Sequence, residues 1–208
     1  MKRRELLAGA LGASLVKRVR AEGPAEGQEL IGRPAPALGL RHWLHSPPLE
    51  MTDLRGKVVL LRWWTQGCPF CEATAPALHK FQAEYGQRGL VVLGIYHPKP
   101  PGDWSMAKLE EAAKEKNFTF PVALDADWSA LKRWWLSQER GFTSVSFLVD
   151  RGGVIRYVHP GGEFHEGNQG STATHEACRR DYRAIEAEIV TALSLKRAAR
   201  LPLREWDR

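Results

Sequence analysis

Two stretches of the chain are apolar at nearly every position, residues 57–64 (KVVLLRWW) and 90–96 (LVVLGIY). Such runs mark strands buried on both faces, as in the interior of a sheet with parallel neighbours, and only Arg62 interrupts the first. Between them Phe70, Thr74, Ala77, Leu78, Phe81 and Tyr85 recur at helical spacing, which predicts a long helix with one apolar side. Pro76 inside it predicts a kink, and Gly86 and Gly89 end it. The resulting strand, helix, strand unit should be right-handed.

The flanking pattern is weaker but continuous. Residues 22–36 are rich in Gly, Pro and Glu and read as a linker, 37–43 alternate as a weak strand, and 52–56 form a turn. Downstream come a proline-rich loop at 97–102 (HPKPPG), a helix from Ser105 as N-cap to Asn117, a short strand at 120–124 and a short helix at 128–136. Residues 144–149 and 154–159 form a hairpin around Asp150-Arg151-Gly152-Gly153. A polar irregular stretch at 161–174 leads to a last helix at 175–195. Its stripe Cys178, Tyr182, Ile185, Ile189 and Leu193 gives Cys178 a buried, apolar place. This is an α/β pattern, with one domain at 37–195 and a basic tail at 196–208. No internal repeat is visible.

Composition adds one correction to first impressions. The net charge of +6 looks like a nucleic-acid footprint, but Lys2, Arg3, Arg4, Lys17, Arg18 and Arg20 against Glu5 supply five of those charges within residues 1–21. The remainder is nearly neutral, so no nucleic-acid partner is expected. The same segment has a basic start, an apolar centre at 6–16 and Val19-Arg20-Ala21 as a cleavage candidate. It resembles a twin-arginine signal peptide, the alternative being an uncleaved membrane tether. Either places the domain outside the cytoplasm, periplasmic or secreted, facing an oxidising compartment.

The chemistry concentrates in Cys68-Pro69-Phe70-Cys71. If the helix begins there, Pro69 occupies its first turn at no hydrogen-bond cost. Cys68 then lies at the positive end of the helix dipole, which favours the thiolate and makes it the expected nucleophile. Cys71, three residues on, is within bridging distance and is the expected resolving thiol. The alternatives are a permanent disulfide and half a zinc site, although no second CxxC or HxxxH exists to complete the latter. Nothing in the sequence calls for a cofactor.

Several spaced motifs then fall in a recognisable order: 31–36 (IGRPAP), 54–60 (LRGKVVL), 68–71 (CPFC), 120–122 (FPV) and 146–150 (SFLVD) with Gly153 after it. Together they resemble the thioredoxin fold, and within it the TlpA/ResA-like thiol–disulfide oxidoreductases and the neighbouring AhpC/TSA-like redoxins. The resemblance covers about residues 31–160. It implies a central mixed sheet flanked by helices, exchange with protein disulfides or dithiols, and an upstream redox partner. It also implies supporting positions around the cysteines at Arg62, Trp64, Thr65, Pro69, Phe70, Thr143 and Ser144.

Three departures stand out. Gly67 replaces the tryptophan that usually precedes the first cysteine. Arg62 replaces a buried acid or asparagine; facing the thiols it would stabilise thiolate and favour an oxidising pair, whereas turned to a carboxylate it would not. Ser144 aligns with the family's cis-proline, and because a cis bond to serine costs about 3 kcal/mol, a trans peptide is expected, with Thr143 and Ser144 offering hydroxyls to the thiolate.

Two other functions remain open at this level. Thr65-Gln66-Gly67-Cys68 reproduces the T-x-x-C part of a peroxiredoxin signature, which would make Cys68 a peroxidatic thiol. His159, His165, His175 and Cys178 could bind copper or another metal, although their spacings match no closed site. Of the tryptophans at 43, 63, 64, 104, 128, 134 and 135, the adjacent pair Trp134 and Trp135 cannot both face the core of one regular helix, so one is expected half-exposed.

Overall fold

The computed structural model describes residues 26–102, 104–137, 140–167 and 173–195. The expected leader at 1–21, the start of the linker and the tail at 196–208 lie outside them. A six-stranded mixed sheet runs in the order β1-β4-β3-β2-β5-β6. Its strands are β1 (Trp43–Leu44), β2 (Val58–Trp64), β3 (Leu90–Tyr96), β4 (Val122–Leu124), β5 (Ser146–Val149) and β6 (Ile155–His159). β2 pairs in parallel with β3 over seven residues and antiparallel with β5, which explains why every β2 residue is buried. The helices are α1 (Pro69–Tyr85), α2 (Met106–Glu115), the short α3 (Ser129–Leu131) running into a π-helical turn (Lys132–Leu136), and α4 (Ala173–Ser194).

Alternation along β2 divides the core. Val58, Leu60 and Trp64 point to the face covered by α1, α2 and α4, while Val59, Leu61 and Trp63 point to the face covered by α3 and the N-terminal segment. Arg62 shares the parity of the first set and therefore points toward α1, the helix that carries the dithiol. Ser105 caps α2 as expected, its side chain accepting from the Lys108 N–H.

Some expectations are displaced. Of the 37–43 stretch only Trp43 enters a strand, with Leu44 after it, because the Glu50 carboxylate takes up the N–H groups of Leu38 and Gly39. Phe70, expected on the apolar side of α1, is 43% exposed, and Cys71 and Ala75 are buried instead.

Trp134 and Trp135 are both buried, contrary to the helix-face argument. The π-helical turn changes the angular offset between neighbours, and the 26–35 segment supplies a second wall. That segment is bonded along β6 through Gly32 N–H to Ile155 O, Ile155 N–H to Arg33 O and Ala35 N–H to Gly153 O. Gly27 there lies against the Trp135 ring at φ 89°, where a Cβ would stand 2.8 Å from it. The Trp135 indole donates to Phe142 O, and the Arg140 guanidinium sits 4.2 Å from its ring centre.

Candidate active site

The dithiol lies where β2 hands over to α1. Cys68 is the N-cap, in extended conformation, and its carbonyl accepts the first helical bonds from Cys71 N and Glu72 N. Pro69 occupies the first turn, as its missing N–H and restricted φ favour. Gly67 turns the chain into that cap at φ 69°, a conformation that side chains other than glycine rarely adopt. A tryptophan would be strained there, so the departure at this position has a backbone cause.

The two thiols are unbridged and sit in different surroundings. Cys68 is half-buried at the helix end, whereas Cys71 is 4% exposed. Ser144 Oγ lies 3.2 Å from Cys71 Sγ and 3.6 Å from Cys68 Sγ, so one hydroxyl touches both. The Cys68 thiol is lowered to about 5, chiefly by the hydrogen bond from Cys71, with help from Ser144, the Cys71 N–H and the Arg62 charge. Cys71 moves the opposite way, held up by the proton it shares with Cys68 and by burial. Attacking and resolving thiols should differ in this way: one is ionised and reachable, the other protonated and shielded.

Arg62 faces the thiols. Its Nη1 donates to Ser146 Oγ at 3.2 Å, its Nη2 to Gly162 O at 2.8 Å, and its head lies 5.6 Å from the Phe164 ring centre. None of these partners is a carboxylate, so the cation is left to the sulfurs. Burial lowers its pKa while Cys71 and Cys68 pull it back up.

Trp64 belongs to the core, edge-on to Tyr96 and Phe118, in the same apolar cluster as Cys71. The Thr65 backbone N–H is directed at Cys71, and its hydroxyl pairs with that of Tyr96 rather than with Cys68. Thr143 turns away from the sulfurs, its Oγ1 2.9 Å from His97 Nε2. Burial and the nearby Lys99 charge lower His97 to about 3, so the imidazole is neutral. Composition did not single out His97. Its position just beyond the carboxyl end of β3, where ligands gather in parallel sheets, is the signal that would have done so.

A groove of about 520 Å³ opens beside Cys68, walled by Gln66, Gly67, Phe70, Lys99, Trp104 and Phe142 among others. Phe142 is 53% exposed, and with Phe70 it gives the groove an apolar rim.

Residues 31–158 match the AhpC/TSA family. The chain belongs to that family. Among similar proteins, DipZ of Mycobacterium tuberculosis is 27% identical over 139 residues, covering 65% of this chain and 19% of DipZ. This chain therefore spans about a fifth of that relative's length. ResA of Geobacillus thermodenitrificans, named a thiol-disulfide oxidoreductase, is 26% identical over 156 residues, 75% of this chain and 82% of ResA. A thiol:disulfide interchange protein DsbE from Chlorobium tepidum superposes with a TM-score of 0.59 at 24% identity over 78% of this chain and 97% of that one. Its likeness confirms the thioredoxin-like fold. Thr143–Ser144 is a trans peptide, as expected, and the cis bond among the described residues is Lys99–Pro100.

Among the described residues no helix is long and apolar enough to cross a membrane. His159 pairs with Asp181 at 3.4 Å, apart from the other C-terminal histidines.

Proposed function

We propose that this protein is a thiol–disulfide oxidoreductase acting on protein partners through Cys68 and Cys71. The observation that carries this reading is the split of the pair: a reachable Cys68 lowered to about 5 beside a buried Cys71 raised above its ordinary value. In the reducing direction the Cys68 thiolate attacks a partner disulfide, forming a mixed disulfide and releasing one partner thiolate. Cys71 then passes its proton to the leaving sulfur, attacks Cys68 Sγ and releases the second partner thiol, leaving the Cys68–Cys71 bridge. The oxidising direction reverses each step.

The oxidising direction is favoured. A cation and a hydroxyl that stabilise thiolate stabilise the reduced protein, and so raise its potential above the about −270 mV of thioredoxin. The apolar rim of Phe70 and Phe142 fits exposed side chains of an incompletely folded client. An extracytoplasmic setting, reached by the twin-arginine-like leader or through an uncleaved tether, suits a disulfide donor whose upstream partner reoxidises it.

Trapping tests the roles. Cys71→Ala should accumulate covalent partner adducts through Cys68, and Cys68→Ala should accumulate none. Equal adducts from both variants would contradict the assignment.

A further inference from the structure

Beyond the dithiol, the fold gathers four metal-binding side chains that the sequence presents as two unrelated pairs. Glu163 and His165 lie two residues apart in the irregular stretch after β6, and His175 and Cys178 lie three apart on α4. The helical spacing places His175 and Cys178 on one side of α4. One ligand atom from each of the four lies within 4.8 Å of all the others. His175 Nδ1 is 3.4 Å from His165 Nε2, Cys178 Sγ is 3.5 Å from Glu163 Oε1, and His165 Nε2 is 3.8 Å from Glu163 Oε1.

Those separations have a geometric meaning. A tetrahedral zinc ion with bonds of about 2.0 to 2.3 Å separates its donor atoms by about 3.3 to 3.6 Å. His175–His165 and Cys178–Glu163 fall in that range, His165–Glu163 exceeds it slightly, and no separation within the set exceeds 4.8 Å.

The segments are held in place independently of the cluster. Between the two ligands of the first pair, Phe164 is fully buried; its N–H donates to Thr74 Oγ1 and its ring stacks on Phe81. On either side, Gly162 O is bonded by Arg62 and Glu166 by Lys80. Tyr182, one turn beyond Cys178, stacks on the same Phe81 from α4 at 4.9 Å. Both pairs are thus anchored to one aromatic residue of α1, so their convergence needs no ion to create it.

We propose that Glu163, His165, His175 and Cys178 form a structural zinc site tying the 161–167 loop to α4. Two imidazoles, a thiolate and a carboxylate suit zinc rather than magnesium or calcium, which take oxygen donors. The two negative ligands balance the dication, and four protein donors leave no open position, as in sites that stabilise rather than catalyse. On binding, the Cys178 thiol proton is released to solvent and the metal takes its place. This proposal is independent of the redox function.

The test uses the full chain carrying Cys68→Ala and Cys71→Ala, so that Cys178 is the one thiol present. Dialysis against zinc with a competing chromophoric chelator should give one equivalent bound, with a higher Tm. Cobalt should give a thiolate charge-transfer band and the strong visible bands of a tetrahedral ion. Adding Cys178→Ser should abolish the charge-transfer band, and adding His175→Ala should weaken zinc binding about 10- to 100-fold or more, with unchanged circular dichroism in both. Substoichiometric zinc in the parent variant would overturn the proposal. So would stoichiometric binding undiminished by either added substitution.

Discussion

The Ser144 hydroxyl stands 3.2 Å from the Cys71 sulfur, and the same oxygen reaches Cys68 at 3.6 Å. That hydroxyl can give a hydrogen bond to whichever sulfur is charged. Hydrogen bonds to charged groups contribute about 1.5–3 kcal/mol, and one pKa unit corresponds to about 1.4 kcal/mol. Ser144→Ala should therefore raise the Cys68 inflection from near 5 by about one unit. The pH profile of Cys68 alkylation measures this, and Ser144→Thr, which keeps the hydroxyl, should leave the profile nearly unchanged.

Among the described residues no carboxylate pairs with Arg62, so its charge acts on the dithiol. Arg62→Met should make the pair less oxidising. A loss on the order of 1.4 kcal/mol of thiolate stabilisation lowers the potential by about 30 mV, readable by equilibration with glutathione. The variant should also be less stable, since Ser146 Oγ and Gly162 O lose their donor.

Acidity should act on the reduced and oxidised forms differently. The Cys68 pKa is depressed from about 9 to about 5. Its contribution to the reduced form is complete above the unfolded value and disappears as pH falls through the folded one. The Tm of the reduced protein relative to the oxidised protein should thus climb between pH about 5 and about 9. Scanning calorimetry of both forms checks the sign; a relative Tm that fell across this window would refute it.

His97 contributes a second acid-sensitive step common to both forms. Buried neutral and lowered from 6.5 to about 3, it favours folding fully above the unfolded value and loses that contribution as pH falls toward the folded one. His97→Phe should flatten the stability profile between pH about 6.5 and about 3. It should also slow exchange, because Thr143 loses the partner that holds the Ser144 segment. Denaturant midpoints across pH and single-turnover rates measure the two effects.

Gly27 tests whether the N-terminal segment belongs to the core. A Cβ there would meet Trp135 at 2.8 Å and Val158 at 2.9 Å, in a left-handed backbone. Overpacking of about 1–3 kcal/mol and a left-handed penalty of about 1–2 kcal/mol predict that Gly27→Ala destabilises by about 3 kcal/mol. Urea denaturation monitored by tryptophan fluorescence would record it.

Local pattern determined most of the scaffold and the place of the candidate dithiol. Continuous apolar runs define buried strands, helical spacing defines α1 and the apolar stripe of α4, and CPFC after a buried strand places a dithiol at a helix N-terminus. All of these are set by neighbours in the chain. What tertiary structure decided are relationships between distant residues. Arg62 could have turned to a carboxylate; its neighbours across 84 and 100 positions, Ser146 and Gly162, are what leave it facing the sulfurs. Trp134 and Trp135 are both buried because a segment a hundred residues earlier covers them, which no single-helix argument can include. Glu163 joins His165, His175 and Cys178 only because Phe164 and Tyr182 stack on one side chain of α1. Periodicity reports which face of an element is apolar, and long-range packing determines what that face meets.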